Sequence, residues 1–301
     1  MKTNTFRNNV RATIRAAIGL AALPVVVGLT MVQGFIVGPV FKNQTAIPNM
    51  IYKGLRKLLG YKVEFNKASA PVEKKKPTWF VANHLSIADF AVLGGKVSGT
   101  FAGKGEILKW PGISQMARAV KYIGLRRSRE FNDESRGKII TNFNDGHNTI
   151  MFPEGTTTTG ERVGLFRAAL PKILYGENGV DKKKNDVKLE KDVVVQPVAI
   201  KVKEVNGQDA TNSDTLRDLY AMYDEDNALK RVWKRLQIKS TTIELTAFKP
   251  ASPKDFDTAE DLMNHAAREI VTVVNPGQET FEKAAIPTAP EKPKSVATPS
   301  A

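Results

Sequence analysis

The chain has 301 residues, 42% of them hydrophobic and 25% charged, enough to bury a full globular core with appendages. It has no cysteine and three widely separated histidines, His84, His147 and His265. Disulfides, thiolate metal sites and cysteine nucleophiles are therefore excluded, and a histidine metal cluster is disfavoured. A formal net charge of +14 calls for an anionic partner. No zinc-finger spacing, RNA-binding signature or helix-turn-helix pattern is evident, so a nucleic acid is not expected and an anionic membrane surface is.

Residues 1–15 are polar and basic, with Arg7, Arg11 and Arg15 at a helical spacing of four. The next 26 residues, Ala16–Phe41, carry no charge and would extend about 39 Å as a helix, against a bilayer core of roughly 30 Å. Pro24, Pro39 and several glycines interrupt the run, and basic residues flank both ends. A spanning helix, a re-entrant or in-plane hairpin and a buried soluble helix all fit, whereas a cleaved signal peptide fits poorly. Ile51–Leu59 alternates an apolar face with Lys53, Arg56 and Lys57, the pattern of a helix at an anionic interface or of an ordinary amphipathic core helix.

A polar connector, 67–76, precedes an alternation of strands and helices. Trp79–Ala82 reads as a buried strand, with a helix beginning near Ile87. Thr100–Ala102 reads as a strand, Ile107–Val120 as a helix broken near Pro111, Tyr122–Leu125 as a strand, Glu130–Asn144 as a helix and Thr149–Phe152 as a strand. After a charged insertion at 181–191, Val193–Ile200 reads as a buried strand, Leu216–Leu236 as an aromatic-rich helix, Thr241–Phe248 as a strand and Ala259–Val274 as a closing helix. This alternation predicts an α/β fold with a mixed, mostly parallel sheet covered by helices on both faces. From Pro276 the composition is that of a disordered tail.

His84 stands at the first strand-to-helix junction, with Asp89 five residues on. From the turn before the helix, the Asp89 carboxylate could hold one imidazole nitrogen and leave the other as a general base. The competing reading makes His84 a helix cap and Asp89 a solvated side chain. Backbone amides at the helix start could serve an oxyanion. Three further stretches follow in order: Ile123-Gly124-Leu125-Arg126, ending a strand in a cation; Phe152-Pro153-Glu154-Gly155-Thr156, a turn; and Val195-Gln196-Pro197-Val198-Ala199, an apolar strand.

Taken together, Asn83-His84…Asp89, the strand ending in Arg126, Phe152–Thr156 and the Pro197 block resemble the 1-acylglycerol-3-phosphate acyltransferase family over roughly Pro77–Ile200. Lys104-Gly105-Glu106-Ile107 is similar to a Lys-x-Glu-Leu segment of that family. The resemblance implies a glycerol-3-phosphate acyltransferase-like fold. With the N-terminal apolar run and the C-terminal composition, the chain divides into a membrane-associated segment 1–66, an acyltransferase domain 67–275 and the tail 276–301. The resemblance also implies acyl transfer from acyl-CoA or acyl carrier protein to a lysolipid hydroxyl, first of all lysophosphatidate, with no cofactor or metal, at a membrane and on the cytoplasmic face of a bacterial inner membrane. By motif, His84 is the base, Asp89 its orienting partner and Arg126 the phosphate ligand. Glu154, Gly155 and Thr156 shape the acceptor pocket, and Lys104 assists near thioester or phosphate. Thr157 and Thr158 stand where many members read Arg-Ser. With Thr159-Gly160-Glu161-Arg162 and Phe166-Arg167, they resemble a branch that includes lyso-ornithine-lipid acyltransferases. Arg162 or Arg167 is a candidate replacement for the lost cation. A catalytically silent membrane-binding protein on the same fold is the alternative outside enzymology.

Overall fold

The computed structural model describes residues 5–41, 45–109, 114, 117, 122–125, 129–181, 183–221 and 228–282. Helix α1, Thr5–Val32, continues through a π-helical turn, Gln33–Val37, into a short helical piece, Gly38–Phe41. Over Thr5–Phe41 the helical path is long and apolar enough to cross a membrane, and only 11% of its most apolar window is buried against the rest of the protein. Helix α2, Ala46–Leu59, runs back antiparallel to it: Gly19 lies beside Leu58, and the Ile47 amide donates to Gln33 Oε1.

The remaining elements form one mixed sheet and its cover. In chain order they are β1 Tyr61–Phe65, β2 Thr78–Ala82, α3 Asp89–Leu93, β3 Thr100–Lys104, β4 Ile123–Leu125, α4 Arg129–Asn144 and β5 Thr149–Met151. A small hairpin follows, β6 Gly179–Val180 with β7 Asp186–Val187. Then come β8 Val194–Val205, β9 Gln208–Asp209, α5 Asp214–Asp218, α6 Ala228–Gln237, β10 Thr241–Ala247 and α7 Ala259–Val274. The strand order is β1-β10-β8-β2-β5-β3-β4, with β9 paired to β8. Only β10 and β9 run antiparallel to β8, and the other pairs are parallel. This is the mixed, mostly parallel sheet that the sequence predicts.

Strand β2 is central because every one of its residues is apolar or Thr, so both faces can be buried. Trp79 and Val81 face one core, with Ile139, Ile140 and Phe143 of α4 and Leu262, Ala266 and Ile270 of α7. Phe80 and Ala82 face the other, with Val92, Leu93, Phe101, Ile200 and Tyr220. Fully burying aliphatic or aromatic side chains of this size is worth about 1.5–3 kcal/mol each.

Two differences from the sequence reading have physical causes. Leu216–Leu236 is not one helix. Helix α5 stops at Asp218, and the chain turns at Leu219–Tyr220 so that the Tyr220 ring enters the core at 0% exposure. Residues 276–282, which read as the start of a tail, lie along the 161–165 loop. There the Gln278 side chain bonds both the amide and the carbonyl of Val163, and the Leu165 amide donates to the Glu282 carbonyl. Most of Ile107–Val120, where a helix is expected, lies outside the described residues, and its first residues belong to a 3₁₀ turn at Gly105–Lys109.

Candidate active site

The parallel strands β2 and β5 end at one edge of the sheet, so the loops after Ala82 and Met151 leave side by side. That is where open α/β sheets place ligands. The first residue past β2, Asn83, is buried and continues the pairing with its side chain. Its amide nitrogen donates to the Ile200 carbonyl at 3.0 Å, and its oxygen accepts from the Ile200 amide at 2.8 Å. This two-way bond fixes where the strand stops and the turn begins.

His84 follows. Its Nδ1 lies 2.8 Å from Asp89 Oδ2, the side chains being 14% and 0% exposed respectively. Asp89 is the first residue of α3, and the turn folds it back over the two preceding amides. Leu85 N–H and Ser86 N–H donate to the same Oδ2 at 2.7 and 2.9 Å. A carboxylate can only accept, so His84 carries its proton on Nδ1 and Nε2 is the free lone pair. Among the described residues, no side chain or backbone group bonds Nε2. The Phe152 ring stacks on the imidazole with centroids 4.0 Å apart and planes 10° apart, which sets the ring plane.

Four of the amides at the start of α3, where the sequence suggested oxyanion donors, are already engaged. Those of Leu85 and Ser86 are taken by Asp89, that of Ala88 by Ser86 Oγ, and that of Asp89 by the Ser86 carbonyl.

Glu154 is 2% exposed and faces inward, bracing two loops. Oε1 accepts from the His84 amide at 2.7 Å and Oε2 from the Gly164 amide at 2.9 Å. Burial pushes its carboxyl up to about 8, against the pull of those two amides, with the nearby Asp89 charge adding to the rise. Gly155 adopts φ +72°, a left-handed turn that glycine makes without a Cβ penalty. The Arg167 guanidinium lies against it, about 3.1 Å from where a Cβ would stand. Thr156 is half-buried in the same turn, and Thr158 closes it by donating its amide and hydroxyl to the His84 carbonyl at 2.8 and 3.2 Å.

Lys104 is exposed at the end of β3, where its carbonyl accepts from the Tyr122 hydroxyl at 3.2 Å. By strand register it lies at the same sheet edge, two residues past the Ala102–Met151 pair. Arg126 lies outside the described residues. Among the described residues, no group of three or more His, Asp or Glu is arranged to hold a metal.

Sequence reasoning missed Tyr220, whose hydroxyl donates to Asp89 Oδ1 at 2.5 Å, both groups being buried. With the partners 131 positions apart, the pairing leaves no local signature.

Residues 62–201 match the Acyltransferase family model. The lyso-ornithine lipid O-acyltransferase of Pseudomonas aeruginosa is 27% identical over 187 residues, covering 62% of this chain and 64% of that protein. The enzyme of the same name from Rhodobacter capsulatus is 30% identical over 139 residues, 46% of this chain and 47% of that one. The chain therefore spans between about half and two thirds of these relatives. The crystal structure of the 1-acyl-sn-glycerophosphate (LPA) acyltransferase PlsC from Thermotoga maritima superposes with a TM-score of 0.62 at 21% identity, covering 92% of this chain and all of that one. The fold is thus shared with PlsC.

Proposed function

Taking residues 62–201 as the acyltransferase-family domain they match, we propose that the protein is a membrane-associated enzyme. It moves a fatty acyl group from a thioester, acyl-CoA or acyl carrier protein, to the hydroxyl of a lysolipid. The observation that carries this reading is the His84–Asp89 pair, with Nδ1 held by a buried carboxylate and Nε2 open. Nε2 takes the acceptor's hydroxyl proton as the oxygen attacks the thioester carbonyl. The tetrahedral intermediate then expels the thiolate, and the imidazolium returns the proton to sulfur. Base catalysis of this kind contributes typically 10²–10⁴-fold, and Asp89 favours the imidazolium that forms. The reaction needs no covalent enzyme intermediate. The exposed apolar length of α1 supports membrane association, with the lipid acceptor reached from that surface.

A lyso-ornithine lipid is the acceptor we favour, because the sequence relatives carry that name and because Thr157 stands where many family members have arginine. A zwitterionic headgroup needs less positive charge than a phosphate monoester, which prefers a fork of donors. Lysophosphatidate is the second reading, favoured by the Arg167 guanidinium resting on Gly155.

The test uses the full chain in vesicles, with labelled acyl-CoA or acyl carrier protein and each lysolipid in turn. Transfer to the lyso-ornithine lipid is expected at a kcat/KM at least about tenfold above that to lysophosphatidate. His84→Ala should lose 10²-fold or more while remaining folded. Normal turnover by folded His84→Ala protein removes the mechanism, and a preference for lysophosphatidate reverses the acceptor assignment.

A further inference from the structure

The carboxylate of Asp89 has two oxygens in different surroundings. Oδ2 takes His84 Nδ1 and two amides, whereas Oδ1 points into the core, where its partner is the Tyr220 hydroxyl. Tyr220 is fully buried and comes from the turn after α5, beyond the stretch that matches the family model. Its ring lies beneath the Arg235 guanidinium of α6, whose Cζ is 4.6 Å from the ring centroid. Arg235 also donates to the Tyr61 hydroxyl at 3.1 Å. A cation over the ring draws density from it and makes the phenol a stronger donor.

We propose that Tyr220 is a positioning residue for the His84–Asp89 pair, its hydroxyl locking the carboxylate so that Oδ2 stays on Nδ1. The inference rests on the acyl-transfer reading for its kinetic consequences but not for its geometry. Without the hydroxyl, a buried carboxylate oxygen loses its donor, a costly state that turning the carboxylate off His84 would relieve. Where the carboxylate stays in place, it becomes more basic, grips the Nδ1 proton harder and raises the imidazole's proton affinity.

The test is Tyr220→Phe in the full chain, with turnover measured against pH. The His84 Nδ1 proton is followed by NMR and assigned by its loss in His84→Ala. The expected result is a kcat lower by roughly tenfold, KM values within about twofold, and an acid limb of the rate profile moved up by roughly 0.5–1 pH unit. The Nδ1 proton resonance should move or broaden as well. A folded variant in which rate, acid limb and resonance are all unchanged overturns the proposal. So does a fall in rate with the acid limb and resonance unmoved, since that marks a purely packing role. If the wild type transfers no acyl group yet the resonance moves in Tyr220→Phe, the acyl-transfer reading fails and the positioning role stands. Should Tyr220→Phe not fold, fluorotyrosine at position 220 keeps the hydroxyl and strengthens its donation. The acid limb should then move down, and an unmoved limb and resonance overturn the proposal.

Discussion

Replacing Asp89 by Asn removes the charge behind His84 while keeping the shape, and the structure indicates how much rate this should cost. Three N–H donors converge on Oδ2, two of them backbone amides of the turn at 2.7 and 2.9 Å. An Asn amide nitrogen placed there would face three donors, so the Asn oxygen must take the Oδ2 position and its nitrogen the Oδ1 position. The Tyr220 hydroxyl can turn to accept from that nitrogen. The imidazole then keeps its proton on Nδ1, and the tautomer error that makes an Asp-to-Asn change so damaging in serine protease triads does not arise. What is lost is the difference between a charged and a neutral acceptor for the imidazolium, about 1–1.5 kcal/mol. That corresponds to roughly 5- to 15-fold in kcat, with KM little changed. The assay is steady-state acyl transfer by folded Asp89→Asn protein. A loss of 10⁴-fold or more would refute the claim that the turn enforces the tautomer, and an unaltered kcat would refute a role for the charge.

Two further outcomes concern the loops around the dyad. Gly160 has φ +76°, and a Cβ there would stand 2.0 Å from Leu85 Cδ2 in the core, so Gly160→Ala should lower stability by about 1–3 kcal/mol. An unchanged urea midpoint would show that the loop yields without cost. Burial dominates at Glu154 and holds its folded pKa at about 8, above the ordinary 4.5. The folded state therefore keeps a proton that the unfolded chain releases, and this group's stabilisation is lost as pH rises between those values. The wild-type urea midpoint should fall more steeply from pH 5.5 to 8.5 than that of Glu154→Gln, and parallel profiles would refute the assignment.

The sequence carried the sheet because its signals are local. A run of Thr and apolar residues between Pro77 and Asn83 reads as a strand buried on both faces, and the apolar period over Ala259–Val274 matches α7 end to end. His84 and Asp89 were legible as a pair because they share one turn. What could not be read lies in long-range contacts. The period across Leu216–Leu236 is helical, yet burying Tyr220 against Asp89 pulls the chain out of a helix. The Asn83–Ile200 bond crosses 117 residues. Glu154 stands in a turn whose sequence does not say that its side chain points inward to two amides. Arg56 read as a cation for an anionic interface or on an ordinary amphipathic helix, and Arg11 and Arg15 as part of a basic stretch at helical spacing, but each is turned onto backbone carbonyls.

Those three arginines tie the apolar N-terminal hairpin to the dyad. Arg11 donates to the Gln237 carbonyl at 2.6 Å, and Arg15 to those of Leu236, Ile238 and Lys239. Together they cap the C-terminal end of α6, the helix whose Arg235 covers Tyr220. Arg56 of α2 donates to the Ala91 carbonyl at 2.7 Å and to that of Gly94, capping the other end of the helix that Asp89 begins. At five residues α3 is far too short to persist alone, so these outside bonds, together with its buried face, hold it in place. Tyr52 of α2 also packs against Gly94, where even a methyl group would collide with its ring. Both supports of the carboxylate, the helix it starts and the tyrosine behind it, thus lean on the hairpin that carries the apolar surface. Removing residues 1–60 would strip α3 of its cap and α6 of its caps along with any anchor. Separating anchoring from catalysis therefore requires substitutions on the exposed face of α1, where Leu20, Val25 and Met31 point away from the core, with the arginines left in place.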